Sequence, residues 1–232
     1  MEFNFPEEMI LGKKHINKIS YDKNNYKFIA LLNKLFETDD LSLLHTKLEN
    51  EYEIFREFGK DSETIFHKKF YEYLKTDKGS EIKEEYEKFC KEVIFPYLGL
   101  KRALIQKFPT IRFNLPNNIA VARKHIDSEF HPIGEINFSY AYTDMFASNA
   151  ILIETMPRDE NFVRIEMKSG ECTSFNANLC THYNEINKTK KTRVSMDFRV
   201  LPLNYYDPTN SRKSATTKQE YVEGGYYKML EI

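Results

Sequence analysis

Six histidines stand at positions 15, 45, 67, 125, 131 and 182. In the string ARKHIDSEFHPIGEINF, His125 and Asp127 lie two residues apart. If that segment is extended, alternate side chains share a face, so an imidazole and a carboxylate converge on one point. They supply two of the three ligands of the facial triad that holds iron(II) and leaves coordination positions open. The third ligand must come from elsewhere, and His182, in NANLCTHYNEIN, is the one histidine that follows the 125–131 cluster. Eleven residues later comes Arg193, in TRVSMDFRV. On a strand, Arg193 and Ser195 share one face while Val194, Met196 and Phe198 take the other. A guanidinium fork with a nearby hydroxyl is suited to grip a carboxylate through parallel, charge-assisted hydrogen bonds.

Plainer readings compete at each position. An isolated His-x-Asp is usually a polar surface pair. Arg193 could be a strand arginine paired with a glutamate. His131, beside a Pro-Ile-Gly turn, reads as a loop or substrate-side residue. His15, His45 and His67 sit among lysines and read as solvated, and Cys172 and Cys180 as small buried hydrophobes. Asn137, Asn176 and Asn178 are placed to orient a ligand or reach a bound acid. Arg199 shares the Arg193 face and could bind the same acid or meet an acidic substrate. Glu135, Tyr140 and Tyr142 are places to look for substrate contacts. Lys188, Lys190 and Lys191, in KTKK, read as an exposed turn.

These residues need a scaffold, and the hydrophobic period describes one. Up to about residue 107 apolar side chains recur at helical spacing: Phe28–Phe36, Leu41–Phe58 behind Asp40, Ile65–Leu74 behind Asp61 or Ser62, and Ile82–Tyr97 closed by Gly99. After Phe108 short β-type runs alternate with turn residues. Strands are expected at Thr110–Leu115, Ile119–Arg123, Ile136–Tyr142, Ala150–Glu154, Phe162–Lys168, Thr173–Asn176 and Arg193–Leu201. The expected fold is mainly β with a helical N-terminal buttress: helices over 1–107, a β core over 108–203 and a tail over 204–232 that docks back, all forming one domain.

Lysine and arginine number 34 against 35 acidic residues, a net charge of −1. This argues against a dedicated nucleic-acid binder and gives no basic signal for an anionic membrane. No apolar run reaches the roughly 20 residues needed to span a bilayer. The N-terminal string MEFNFPEEMILGKKH lacks an apolar signal core. The three cysteines form no CxxC pair, so a reducing cytoplasm is the expected location.

The order His-x-Asp, distal His, Arg-x-Ser resembles the iron(II)- and 2-oxoglutarate-dependent oxygenases. Three longer strings, GEINFSYAYTDMFASNAILIE (134–154), FNANLCTHYNEINKTKKTRVSMDFRVLP (175–202) and GGYY (224–227), resemble its bacterial branch associated with streptomycin biosynthesis. The resemblance implies a double-stranded β-helix, the jelly roll shared with cupins. It implies iron ligation by His125, Asp127 and His182. It also implies a grip on the distal carboxylate of 2-oxoglutarate by Arg193 with Ser195. Dioxygen would be the other cosubstrate, and a small polar metabolite the compound hydroxylated. The retained Asp127 favours hydroxylation over halogenation, with desaturation or ring closure also open. The family usually has a proline and a larger apolar residue where this chain reads SYAYTD, which alters the expected substrate pocket. The rival expectation is a cupin-like metal-binding isomerase or binding protein without oxygen chemistry.

Overall fold

The computed structural model describes residues 15–48, 64–120, 123–215 and 217–232. The chain is mostly β, in two sheets, with a few helices. The strands are β1 (Asn17–Lys18), β2 (Arg102–Gln106), β3 (Thr110–Asn114), β4 (Ile136–Ala141), β5 (Ile151–Glu154), β6 (Phe162–Ile165), β7 (Cys172–Phe175), β8 (His182–Tyr183), β9 (Arg193–Leu201) and β10 (Tyr227–Glu231). The larger sheet runs β1-β7-β4-β9-β2-β10, with β3 also paired to β9, and the smaller runs β6-β5-β8.

Three helical segments cover the outer face of the larger sheet: α1 (Phe28–Phe36), α2 (Ile65–Tyr73) and α3 (Ser80–Phe89). α3 runs through a π-helical turn, Cys90–Ile94, into α4 (Phe95–Leu98). The wide turn has a local cause. Pro96 cannot donate to the helix and its ring crowds the carbonyl four residues back, a conflict that a π turn relieves. Gly99, at φ +66°, ends the run in the left-handed conformation that glycine adopts without strain.

The helices are fixed by aromatic packing. Phe89 is fully buried, with ring centroids 5.5 Å from Phe28, 5.8 Å from Tyr140 on β4 and 6.4 Å from Phe198 on β9. Val194, Met196, Phe198 and Val200 join the same core, so the even-numbered residues of β9 face the helices. The odd-numbered ones face the other way, toward the smaller sheet. Ala141, Ile151, Ile153, Ile165 and Phe175, drawn from both sheets, pack between them.

Several expectations need correction. Leu41–Lys47 is a 3₁₀ segment, not the start of an α-helix, and the rest of that expected helix lies outside the described residues. Asp40 does cap it, accepting from the Ser42 amide. α2 is capped by Thr64, just beyond Asp61 and Ser62 in sequence. The strand expected over 119–123 is not formed among its described residues; beyond that run, His125 pairs in an isolated bridge. Its partner His182 opens β8, a strand two residues long. β2 and β10 carry no strand expectation, yet they pair over five residues and attach to β9 through β2. The larger sheet therefore draws strands from all three expected stretches. His15 and His67 are buried, not solvated.

Candidate metal centre

The backbone brings His125 and His182 together before any side chain acts. The His125 amide donates to the His182 carbonyl at 3.3 Å, and the His182 amide donates back at 3.0 Å. Directly opposed residues of an antiparallel pair project to the same side, and the two imidazole centroids lie 4.2 Å apart. Next along, the Asp127 amide donates to the Ala177 carbonyl at 2.7 Å. The Ser128 amide reaches the Asn178 carbonyl, and the Asn178 side chain donates to the Pro132 carbonyl. The segment before His182 thus clamps the His-x-Asp loop, with the Asn178 side chain tied to it. Asn176 is tied locally, its side chain accepting from the Leu179 amide at 3.2 Å.

Ligand atoms of His125, Asp127 and His182 all lie within 4.8 Å of one another, the one such His/Cys/Asp/Glu group among the described residues. Asp127 Oδ1 stands 3.5 Å from His125 Nε2 and 3.7 Å from His182 Nε2. Two neighbouring ligands at bonds of about 2.1 Å would lie about 3.0 Å apart, so a small contraction fits the set to one ion. The ring tautomers fit as well. His125 Nδ1 lies 2.9 Å from the Arg123 carbonyl and His182 Nδ1 3.3 Å from that of Cys180. A carbonyl only accepts, so each Nδ1 carries the hydrogen and each Nε2 keeps its lone pair. Burial pushes the His182 imidazole down to about 4, which keeps it neutral, the form that binds metal.

Burial by itself would raise the Asp127 carboxyl. The Arg199 guanidinium, helped by His125 and His182, outweighs burial and holds it well below the usual carboxylate range. Its second oxygen is fully engaged. Oδ2 accepts from Asn137 Nδ2 at 2.7 Å and from Arg199 Nη2 and Nε at 2.7 and 3.2 Å. Asn137 thus holds Asp127, a member of the triad. Arg199 meets an acidic group, but that group is the protein's own Asp127.

Arg193 lies on the same inward face of β9, 1% exposed. Its Nη1 donates to the Asn149 carbonyl at 2.9 Å and to Asn184 Oδ1 at 2.6 Å. Ser195, fully buried, has a hydroxyl oxygen without a hydrogen-bond partner among the described residues. So have both polar side-chain atoms of Asn114, which sits opposite Arg193 in the β3–β9 register. The sequence offers no sign of Asn114, because only the register puts it beside Arg193.

His131 is not among the triad but lies 3.0 Å from Glu135. Tyr140 and Tyr142 are buried in the helix-facing core, away from the inward face. All three cysteines are free and buried, and none joins the triad. A cavity of about 420 Å³ opens on the helical side, between Ile29, Asp40, Tyr142, Phe146 and Lys191, and no triad residue lines it.

No family model matches the chain. The streptomycin biosynthesis protein StrG of Streptomyces griseus is 31% identical over 170 residues, which span 72% of this chain and 77% of that protein. Among solved structures, the non-haem α-ketoglutarate-dependent carbocyclase SnoK from nogalamycin biosynthesis superposes with a TM-score of 0.55. It shows 11% identity, over 98% of this chain and 96% of the other. The non-haem α-ketoglutarate-dependent epimerase SnoN, from the same biosynthesis, gives 0.51 at 14% identity over 83% and 80%. At such identities these two likenesses show a shared fold.

Proposed function

The chain belongs to the family of the streptomycin biosynthesis protein StrG, and we propose that it is a non-haem iron(II)- and 2-oxoglutarate-dependent oxygenase. Its substrate in this reading is a small polar metabolite of a biosynthetic pathway, such as an amino acid or amino sugar, and the reaction a hydroxylation. The helices, the β core and the tail work as one catalytic domain on a double-stranded β-helix, in the cytoplasm. Among the described residues no helix is long and apolar enough to cross a membrane.

The observation that carries the reading is the meeting of His125, Asp127 and His182 on one point, with both Nε2 lone pairs and one carboxylate oxygen directed there. Three ligands on one side leave the other positions for small molecules. With iron(II) and 2-oxoglutarate in place, dioxygen chemistry that oxidises a C–H bond and yields succinate and carbon dioxide becomes available. The protein's part is orientation and exclusion of side reactions. His125 and His182 hold the metal through fixed tautomers, and Asp127 supplies one oxygen. Arg193, with Ser195, pairs with the far carboxylate of 2-oxoglutarate. The unpartnered Ser195 hydroxyl and Asn114 amide support this, because buried polar groups without partners are costly unless a ligand satisfies them.

The test is an anaerobic titration with iron(II) and 2-oxoglutarate. A visible charge-transfer band from metal to 2-oxoglutarate is expected, absent in His182→Ala. No band in the wild type would end this assignment. Succinate formation coupled to dioxygen uptake separates it from a cupin-like isomerase using the same triad.

A further inference from the structure

Behind the triad lies a second set of buried ionic groups. Asp127 and Glu135, 3% and 4% exposed, share the single guanidinium of Arg199. Arg199 Nε stands 3.2 Å from Asp127 Oδ2 and 3.3 Å from Glu135 Oε2, and Nη2 takes Asp127 Oδ2 at 2.7 Å. Nη1 reaches Gln106 Oε1 at 3.3 Å and the Tyr226 hydroxyl at 3.4 Å. Glu135 is held in turn. The fully buried Tyr227 donates its hydroxyl to Glu135 Oε1, and His131 Nδ1 lies 3.0 Å from Oε2. Tyr227 opens β10 and is registered opposite Gln106 on β2. The C-terminal strand thus reaches the metal-binding carboxylate through two intermediates.

The arrangement treats the two oxygens of Asp127 differently. Oδ2 accepts from three donor groups, whereas Oδ1 stands 3.5 and 3.7 Å from the imidazole nitrogens. That is beyond the usual hydrogen-bond length of about 2.7–3.2 Å, but in keeping with two ligands of one ion. A guanidinium left alone with one carboxylate tends to fork onto both its oxygens. Glu135 competes for that charge: its Oε2 forms an ion pair with the same Nε at 3.3 Å, without a hydrogen bond, and draws the guanidinium away from Oδ1.

We propose that Glu135 and Tyr227 are positioning residues for the metal centre: through Arg199 they keep Oδ2 of Asp127 occupied and leave Oδ1 alone for the ion. The inference rests on the metal-centre reading above and adds to it a role for the C-terminal strand.

Cobalt(II) titration, followed by its visible d–d absorption and by a dissociation constant, tests it without turnover. Glu135→Gln keeps the shape and removes the charge. It should raise the cobalt(II) dissociation constant about 10- to 100-fold, the usual cost of losing an outer partner of a metal ligand, and alter the d–d band. Tyr227→Phe should shift both in the same direction by less. A merely structural role would lower the melting temperature and leave the band of the folded fraction unchanged. If wild type binds cobalt(II), and Glu135→Gln and Tyr227→Phe bind it with unchanged constant and band, the inference is wrong. Should Glu135→Gln fail to fold, Tyr227→Phe decides alone. A wild type that binds no better than His182→Ala brings down the metal-centre reading itself, and this inference with it.

Discussion

His125 and His182, 57 positions apart in the chain, exchange both of their backbone hydrogen bonds. The pairing owes nothing to the imidazoles, so either ring can be removed without undoing the fold that aligns them. His125→Ala and His182→Ala should each keep a near wild-type melting temperature and lose iron(II) or cobalt(II) affinity by more than about 100-fold, beyond what losing an outer partner costs. A variant that stays folded and binds as tightly as wild type would remove that histidine from the ligand set.

Arg193 and Arg199 occupy the same face of β9, but their partners differ. Arg199 is committed to Asp127 and Glu135, whereas Arg193 faces the unpartnered Asn114 amide across the β3–β9 register. Arg193→Lys keeps the charge and loses the fork. A charge-assisted hydrogen bond contributes about 1.5–3 kcal/mol, so the KM for 2-oxoglutarate should rise about 10- to 100-fold with metal affinity unchanged. The reverse pattern, an unmoved KM here and a raised one in Arg199→Lys, would transfer the anchor to Arg199.

Phe89 joins the helices to both β4 and β9 through ring contacts and is fully buried. Phe89→Ala should cost about 3–5 kcal/mol by chemical denaturation, the range for emptying a buried aromatic site. A loss below about 1 kcal/mol would mean that the helices do not brace the sheet.

His67 gives the fold a pH dependence remote from the metal centre. Its ring packs edge-on against Phe113, and burial pushes its imidazole down to about 3. The folded state therefore resists a proton that the unfolded chain accepts below about 6.5. The resulting stability is complete above that value and is lost as pH falls toward 3. Between pH 8 and pH 5 the loss from this residue should be about 2 kcal/mol. In His67→Gln the unfolding free energy should fall less steeply over that interval, and an identical slope would contradict the assignment.

Much of this protein is written in its amino-acid order. The two-residue spacing of His125 and Asp127, the later His182 and the alternation along Arg193–Leu201 name the candidate ligands and the inward face, because side-chain direction on an extended chain follows from position alone. The helical stripes and Gly99 are legible for the same local reason. Tertiary structure decided what depends on partners distant in sequence. The described residues of the strand expected over 119–123 stay outside both sheets, whereas β2 and β10 exist because they find each other. Arg199 pairs with Asp127, and Glu135 and Tyr227 join it, because β9, β2 and β10 lie side by side. Side-chain type limits which interactions are available, but only the meeting of strands determines which groups are close enough to make them.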